Sequence, residues 1–223
     1  MRITSDSSPG AQPTILRVAI LASGEGSNLQ AIIDSVHGRY GVEIVSVVSD
    51  KPEAKALDRA AAVGIPTATF AKTDYESRAA RDDAMVDHLK AVNANLVVLA
   101  GYMQLLSPNF IGAFFGRIIN VHPSLLPAFP GLNAIQQALD AGDDHTGVTV
   151  HYVDEGIDTG PPIAQEIVEI EASDTHDSLA ARIHAVEHRL LPEVIAQIAM
   201  ERATATAAAA SAPAPPTTER GIS

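Results

Sequence analysis

The sequence predicts an α/β protein: a single Rossmann-like domain with a mostly parallel central sheet flanked by helices, ending in a C-terminal strand pair and a closing helix. Three observations predict it. Short β-branched runs alternate with amphipathic stretches along most of the chain. The early runs are apolar at nearly every position, as befits strands covered on both faces. Hydrophobic residues make up 46% of the 223 positions, enough for one large core.

Strands are expected at 15–22, 42–49, 67–70, 96–100 and 118–121, with helices at 27–37, 53–63, 74–92 and 107–113. Asp74 is a plausible N-cap for the third helix. Ser107 and Pro108 make a cap followed by proline at the first helical position. Residues 148–153 and 162–168 read as a strand pair, and 177–200 as a long closing helix. The chain has no internal repeat. Residues 1–13 are polar and read as a flexible leader, which leaves 14–202 as the folded domain. Residues 203–223 are rich in Ala, Thr and Pro and read as a disordered tail, with too few apolar side chains to offset their ordering entropy. The Ala run within them suits a helix and allows a turn or two of extension.

Composition removes several function classes. With 15 basic against 27 acidic residues the net charge is −12. Such a surface repels phosphate backbones and no dense Lys/Arg cluster counters it, so no nucleic-acid partner is expected. No apolar run reaches about 18 residues, so no membrane span is expected. The first residues lack the apolar stretch of a secretory signal, and a cytoplasmic location follows. The absence of cysteine rules out disulfides and thiolate metal sites. His184 and His188 stand four apart on one helix face, but no third ligand lies nearby, and no metal is expected. The partners expected are small molecules, for a monomer or a homodimer.

Two segments carry chemistry. The first strand runs into Ala22-Ser-Gly-Glu-Gly-Ser-Asn-Leu29 and then a helix. Glycines let backbone amides approach a ligand there, and the helix start adds partial positive charge. Asp50, closing the second strand, invites a dinucleotide reading. Leu29, however, stands where the third glycine of that fingerprint belongs, and no Gly-Lys-Ser/Thr follows for a nucleotide-triphosphate loop. What remains is an anion cradle for one phosphomonoester, with Gly26, Ser27 and Asn28 around it, or a plain glycine turn capped by Ser27. The second segment is Ile119-Asn-Val-His-Pro-Ser-Leu-Leu-Pro127, followed by Asp158-Thr-Gly-Pro161. Alternation in an extended segment puts Asn120 and His122 on one face and Val121 on the other. Pro123 favours extended geometry at His122. A carboxamide donor beside an imidazole suits acyl transfer, one polarising a carbonyl oxygen and the other moving a proton. The same pair could simply satisfy backbone groups, and Asp158 before Thr-Gly could simply cap a turn. Thr149 and His151 share a face, either supporting that pair or buried and hydrogen-bonded. His37, His88, His145 and His176 are expected in solvent or at caps.

Gly24-Glu-Gly-Ser-Asn-Leu-Gln-Ala-Ile32, Val97-Val-Leu-Ala-Gly-Tyr-Met103, Asn120-Val-His-Pro-Ser-Leu-Leu-Pro127 with Pro130-Gly131, and Thr149-Val-His-Tyr-Val153 leading to Asp158 resemble the folate-dependent formyltransferases in order and over about residues 14–200. The Gly-Ser-Asn-Leu loop resembles the glycinamide ribonucleotide transformylases among them. The resemblance implies transfer of a formyl group from (6R)-10-formyltetrahydrofolate, as co-substrate, to the glycinamide amine of 5-phosphoribosylglycinamide in purine biosynthesis, without a metal. It implies His122 as acid/base, Asn120 as contact to the formyl oxygen and Asp158 as the carboxylate that tunes His122. It further implies Gly26, Ser27, Asn28 and Leu29 around the ribonucleotide phosphate, and Glu187 on the nucleotide. Arg78 would contact the folate, and the backbone of Met103, Gln104, Leu105 and Leu106 would receive its pteridine.

Three positions depart from the family pattern: Gln104 stands for an Arg, His184 for a Gln or Lys, and Thr149 for a Ser. Related activities fit less well. A transfer-RNA formyltransferase needs a further basic domain, and a formyltetrahydrofolate hydrolase carries an N-terminal regulatory domain. A nicotinamide-dependent oxidoreductase conflicts with Leu29. A silent binding module leaves Asn120, His122 and Asp158 together without a purpose.

Overall fold

The structure, a computed structural model, describes residues 15–211; the expected leader and residues 212–223 of the expected tail lie outside the described residues. The elements run β1 (Leu16–Leu21), α1 (Ser27–Val36), β2 (Val42–Ser49), α2 (Lys55–Ala62), β3 (Thr67–Thr69), a 3-10 turn (Lys72–Asp74), α3 (Arg78–Ala91), β4 (Leu96–Leu99), α4 (Pro108–Ala113), β5 (Ile118–His122), α5 (Ala134–Ala141), β6 (His145–Tyr152), β7 (Pro162–Glu169) and α6 (His176–Ser211). The seven strands form one sheet in the order β3-β2-β1-β4-β5-β6-β7. Pairing is parallel from β3 across to β5, and β6 and β7 join antiparallel. The α/β class, the mostly parallel sheet and the terminal strand pair expected from the sequence are all present.

Strand alternation divides the core in two. Leu16, Val18 and Ile20 of β1 pack with Leu29 and Ile32 of α1 and Leu191 and Ile195 of α6. Ala19 and Leu21 point the other way, onto Met85 and Leu89 of α3 and Phe110 of α4. Helices α1, α2, α5 and α6 therefore cover one face, and α3 and α4 the other. Burying a side chain such as Leu29 or Ile20 contributes about 1.5–3 kcal/mol, which is why the apolar strand pattern was legible.

Local chemistry moved some boundaries. Helix α3 starts from Ser77, whose hydroxyl accepts from the Ala80 amide at 3.1 Å; Asp74, the expected cap, sits in the 3-10 turn before it. Ser107 caps α4 as expected, accepting from the Phe110 amide, with Pro108 at the start of the helix. Helix α5 has no counterpart in the sequence reading. It is eight residues long, bounded by left-handed Asn133 and Gly142, and buries only Ala134, Ile135 and Ala138. Helix α6 continues through Ser211, so residues 203–211 of the expected tail are helical, the outcome their Ala content favours. His88 is not a solvated residue. Its Nε2 lies 2.9 Å from the fully buried Ser46 hydroxyl, its ring packs on Phe70, and burial pushes its pKa down.

Candidate active site

After β1 the chain moves outward to β3 and then returns to place β4 on the other side of β1. At such a reversal the helices diverge and leave a crevice beyond the C-terminal strand ends. β1, β4 and β5 are neighbours here, and each delivers one candidate segment: 24–29, 103–106, and Asn120 with His122. Ser23 joins the first two. Its amide donates to Gly101 O at 3.1 Å, and its hydroxyl accepts from the Met103 amide at 2.9 Å.

Asn120 and His122 share a face of β5, as alternation requires. Antiparallel β6 sets His151 opposite Asn120 and Thr149 opposite His122, so four polar side chains form a block on the α3/α4 side of the sheet. Asp158 reaches this block from the β6–β7 loop, from a left-handed backbone (φ 54°). One carboxylate oxygen lies 3.4 Å from His122 Nδ1 and accepts from the Gly131 amide at 2.8 Å. The other accepts from Asn120 Nδ2 at 3.4 Å and lies 3.5 Å from His151 Nε2. Turn capping in that loop falls to Asp154, which accepts from the Gly156 amide and the Thr159 hydroxyl, leaving Asp158 free to face the histidines. The glycine of the Asp-Thr-Gly-Pro segment also has a steric reason. A Cβ on Gly160 would lie 1.8 Å from the Tyr152 carbonyl oxygen.

The electrostatics follow from these contacts. Burial alone would push the Asp158 carboxyl up. The His151 side chain, the Gly131 amide and the charges of His122 and His151 outweigh it and hold the carboxyl below the usual range. His122 is 5% exposed, and its Nε2 donates to the Phe129 carbonyl at 2.8 Å. A carbonyl only accepts, so Nε2 carries a hydrogen and Nδ1 is the atom turned to Asp158. His151 is both buried and supporting. Its Nδ1 donates to Tyr152 O at 2.8 Å, and its Nε2 lies 3.3 Å from Asn120 Nδ2 and 3.5 Å from Asp158. Thr149, fully buried, donates to Ser124 O at 2.7 Å and accepts from the Leu126 amide at 3.1 Å, tying the loop after His122 to β6.

The loop after β1 opens α1 at Gly26, which is left-handed (φ 73°); Ser27 is the first helical residue, and its side chain makes no cap. A Cβ on Gly26 would approach Ala56 to 2.8 Å. Gly26→Ala is therefore expected to lose about 2 kcal/mol from backbone strain, before any clash, read as a Tm lowered by roughly 4–8 °C. An unchanged melt would mean that the left-handed turn is not needed there. Asn28 Nδ2 donates to Glu187 at 2.9 Å, while Asn28 Oδ1 and His188 Nε2 are buried without a protein partner. Burial pushes the Glu187 carboxyl up, against the Asn28 bond and the His184 charge. Leu29 is wholly in the core, so only its backbone faces the loop.

Arg78, Met103, Gln104 and Leu105 line one cavity of about 550 Å³, together with Lys72, Ser77 and Arg81. Leu106 does not; it packs against the core on the α3/α4 side. Lys72 and Arg81 lie in no motif of the sequence. The signal available was the spacing of Arg78 and Arg81, three apart and so on one helix face. No group of His, Asp and Glu suited to a metal occurs among the described residues.

Residues 16–195 match the family model described as formyl transferase. The chain belongs to the formyl transferase family. Phosphoribosylglycinamide formyltransferase of Bacillus subtilis is 45% identical over 183 residues, covering 82% of this chain and 94% of that protein. A match over 185 residues, again 82% of this chain, covers 14% of the trifunctional purine biosynthetic protein adenosine-3 of Drosophila melanogaster, at 45% identity. Among solved structures, phosphoribosylglycinamide formyltransferase from Bacillus halodurans is 50% identical with a TM-score of 0.79, covering 82% of this chain and 94% of that one. Glycinamide ribonucleotide transformylase 1 from Symbiobacterium toebii is 43% identical with a TM-score of 0.84, covering 89% and 94%.

Proposed function

We propose that this formyl transferase moves the formyl group of 10-formyltetrahydrofolate to the glycinamide amine of 5-phosphoribosylglycinamide, a step of purine biosynthesis, as a cytoplasmic enzyme of small molecules. The observation that carries the reading is the convergence of Asn120, His122 and Asp158 at the C-terminal ends of the parallel strands, where the Gly26–Asn28 loop also lies. The likeness to enzymes named for this reaction, over 94% of the Bacillus subtilis protein, supports it.

In this reading the phosphate lies at the start of α1, where free amides and the helix dipole favour an anion. Asn28 and Glu187 hold the nucleotide, and Asn28 Oδ1 and His188 Nε2 gain polar partners there. The amine nitrogen attacks the formyl carbon and the carbonyl electron pair moves to oxygen. The Asn120 amide donates to that oxyanion, an interaction of the kind that typically contributes about 2.7–4 kcal/mol to lowering a barrier. The C–N10 bond then breaks as N10 takes a proton, and the attacking nitrogen gives one up. His122, held between Phe129 O and Asp158, moves these protons. Arg78 and the 103–106 segment hold the folate.

The test follows the absorbance change as 10-formyl-5,8-dideazafolate loses its formyl group, with and without the ribonucleotide. Turnover is expected only with the ribonucleotide present. Deformylation that ignores it would mean a hydrolase, and no reaction in folded protein a binding module.

A further inference from the structure

The segment that follows β4 leaves its main chain largely unpaired. Residues 103–106 belong to no helix or strand, and of their amides and carbonyls only the Met103 amide has a protein partner among the described residues. Tyr102 and Leu106 pack on the α3/α4 core, while Met103 and Leu105 are 62% and 60% exposed, so the side chains alternate as they do in a strand. A stretch with so few main-chain bonds keeps its shape only if its ends are fixed. Side chains fix both. At the far end the Ser107 amide donates to Asp82 at 2.6 Å. The other oxygen of this wholly buried carboxylate accepts from Arg81 Nε and Nη2 at 3.1 and 2.8 Å. At the near end the Met103 amide donates at 2.9 Å to the hydroxyl of Ser23, itself 3% exposed.

The two anchors come from different parts of the fold. Asp82 belongs to α3 and holds the residue that caps α4. Ser23 stands between β1 and Gly24, where the phosphate loop begins, and its amide donates to Gly101 O at 3.1 Å. One residue therefore sits at the root of both binding segments. We propose that Ser23 is the positioning residue for the folate: with the far end held by Asp82, its hydroxyl fixes the near end, so that the free amides and carbonyls of 103–106 meet the pteridine already in order. Ser23 acts through Met103 and not by touching the ligand. The gain is pre-organisation, since a ligand that bonded to a slack edge would itself have to order it. This role rests on the folate site proposed above. The phosphate loop does not depend on the same hydroxyl. It is held on α2, by the Ala56 amide donating to Gly24 O at 3.1 Å and by Arg59 Nε donating to Glu25 O at 2.8 Å.

Calorimetric titration of 5,8-dideazafolate and, separately, of the ribonucleotide tests this without requiring turnover. Ser23→Ala is expected to raise the folate Kd about tenfold and to leave the ribonucleotide Kd within about twofold of wild type. Amide hydrogen exchange gives a reading that needs no ligand: the Met103 amide should exchange about tenfold faster once the hydroxyl is gone. Ser46→Ala is the control. It removes another fully buried hydroxyl, the one beside His88, and should lower the Tm without moving the folate Kd. Equal folate Kd in wild type and Ser23→Ala overturns the positioning role, as does a rise shared by the ribonucleotide or by Ser46→Ala. Folded wild-type protein that binds no folate would instead overturn the folate site itself, and the titrations separate the two.

Discussion

His122→Ala is expected to lower kcat by about 10²–10⁴-fold while the KM of either substrate moves only a few-fold. Proton transfer by a positioned acid/base contributes that range, and the His122 imidazole faces the Asp158 carboxylate at 3.4 Å. Its two contacts are the Phe129 carbonyl and the Asp158 carboxylate, and neither belongs to the loop or cavity that would bind substrate. The substitution also removes the 2.8 Å donor to Phe129 O, leaving only the Ser124 hydroxyl at 3.5 Å, a loss of about 1–3 kcal/mol at most, so a melt must accompany the kinetics. A raised KM with kcat intact would move His122 from chemistry to binding.

Asp158→Asn should lower kcat by a comparable factor, about 10²–10⁴-fold, and raise the folate KM far less. The carboxylate faces His122, His151 and Asn120 at once, and a neutral amide cannot accept from all three. The substitution also has a signature in pH. The folded carboxyl titrates below its ordinary 3.8, so its ionised form stabilises the native state. That contribution is fully present above the unfolded value and is lost as pH falls through the folded one. Wild type should therefore melt above Asp158→Asn at neutral pH, with the gap closing below about pH 4. A gap independent of pH would mean that the charge is not what holds the loop.

The central parallel strands β1 and β4 were legible because each is apolar at nearly every position. The face shared by Asn120 and His122 was legible because a period of two needs no tertiary information. Asp158 was ambiguous for a reason the fold makes plain. A left-handed Asp in a turn and a carboxylate aimed at two histidines have the same local sequence, and only the placement of Asp154 in the same loop separates them. Helix α5 escaped because two of the three residues it buries are alanines, which leave little periodic signal. The start of α3 was misplaced because Asp74 and Ser77 are both competent caps, and the 3-10 turn claims the first. The cavity is out of reach of any local pattern. It needs the turn at Lys72, the first turns of α3 and the segment after β4 in one place.

The hydrogen bond from Asn28 to Glu187 joins residues 159 positions apart. It makes the opening loop of the domain answerable to its last helix. A growing polypeptide on the ribosome can pair β1 with β2 and wind α1 long before Glu187 has been synthesised, but the site proposed for the ribonucleotide stays unfinished until α6 docks. Competence to bind substrate is thus a late event in the life of each molecule, and it reports that nearly the whole domain has been made and folded.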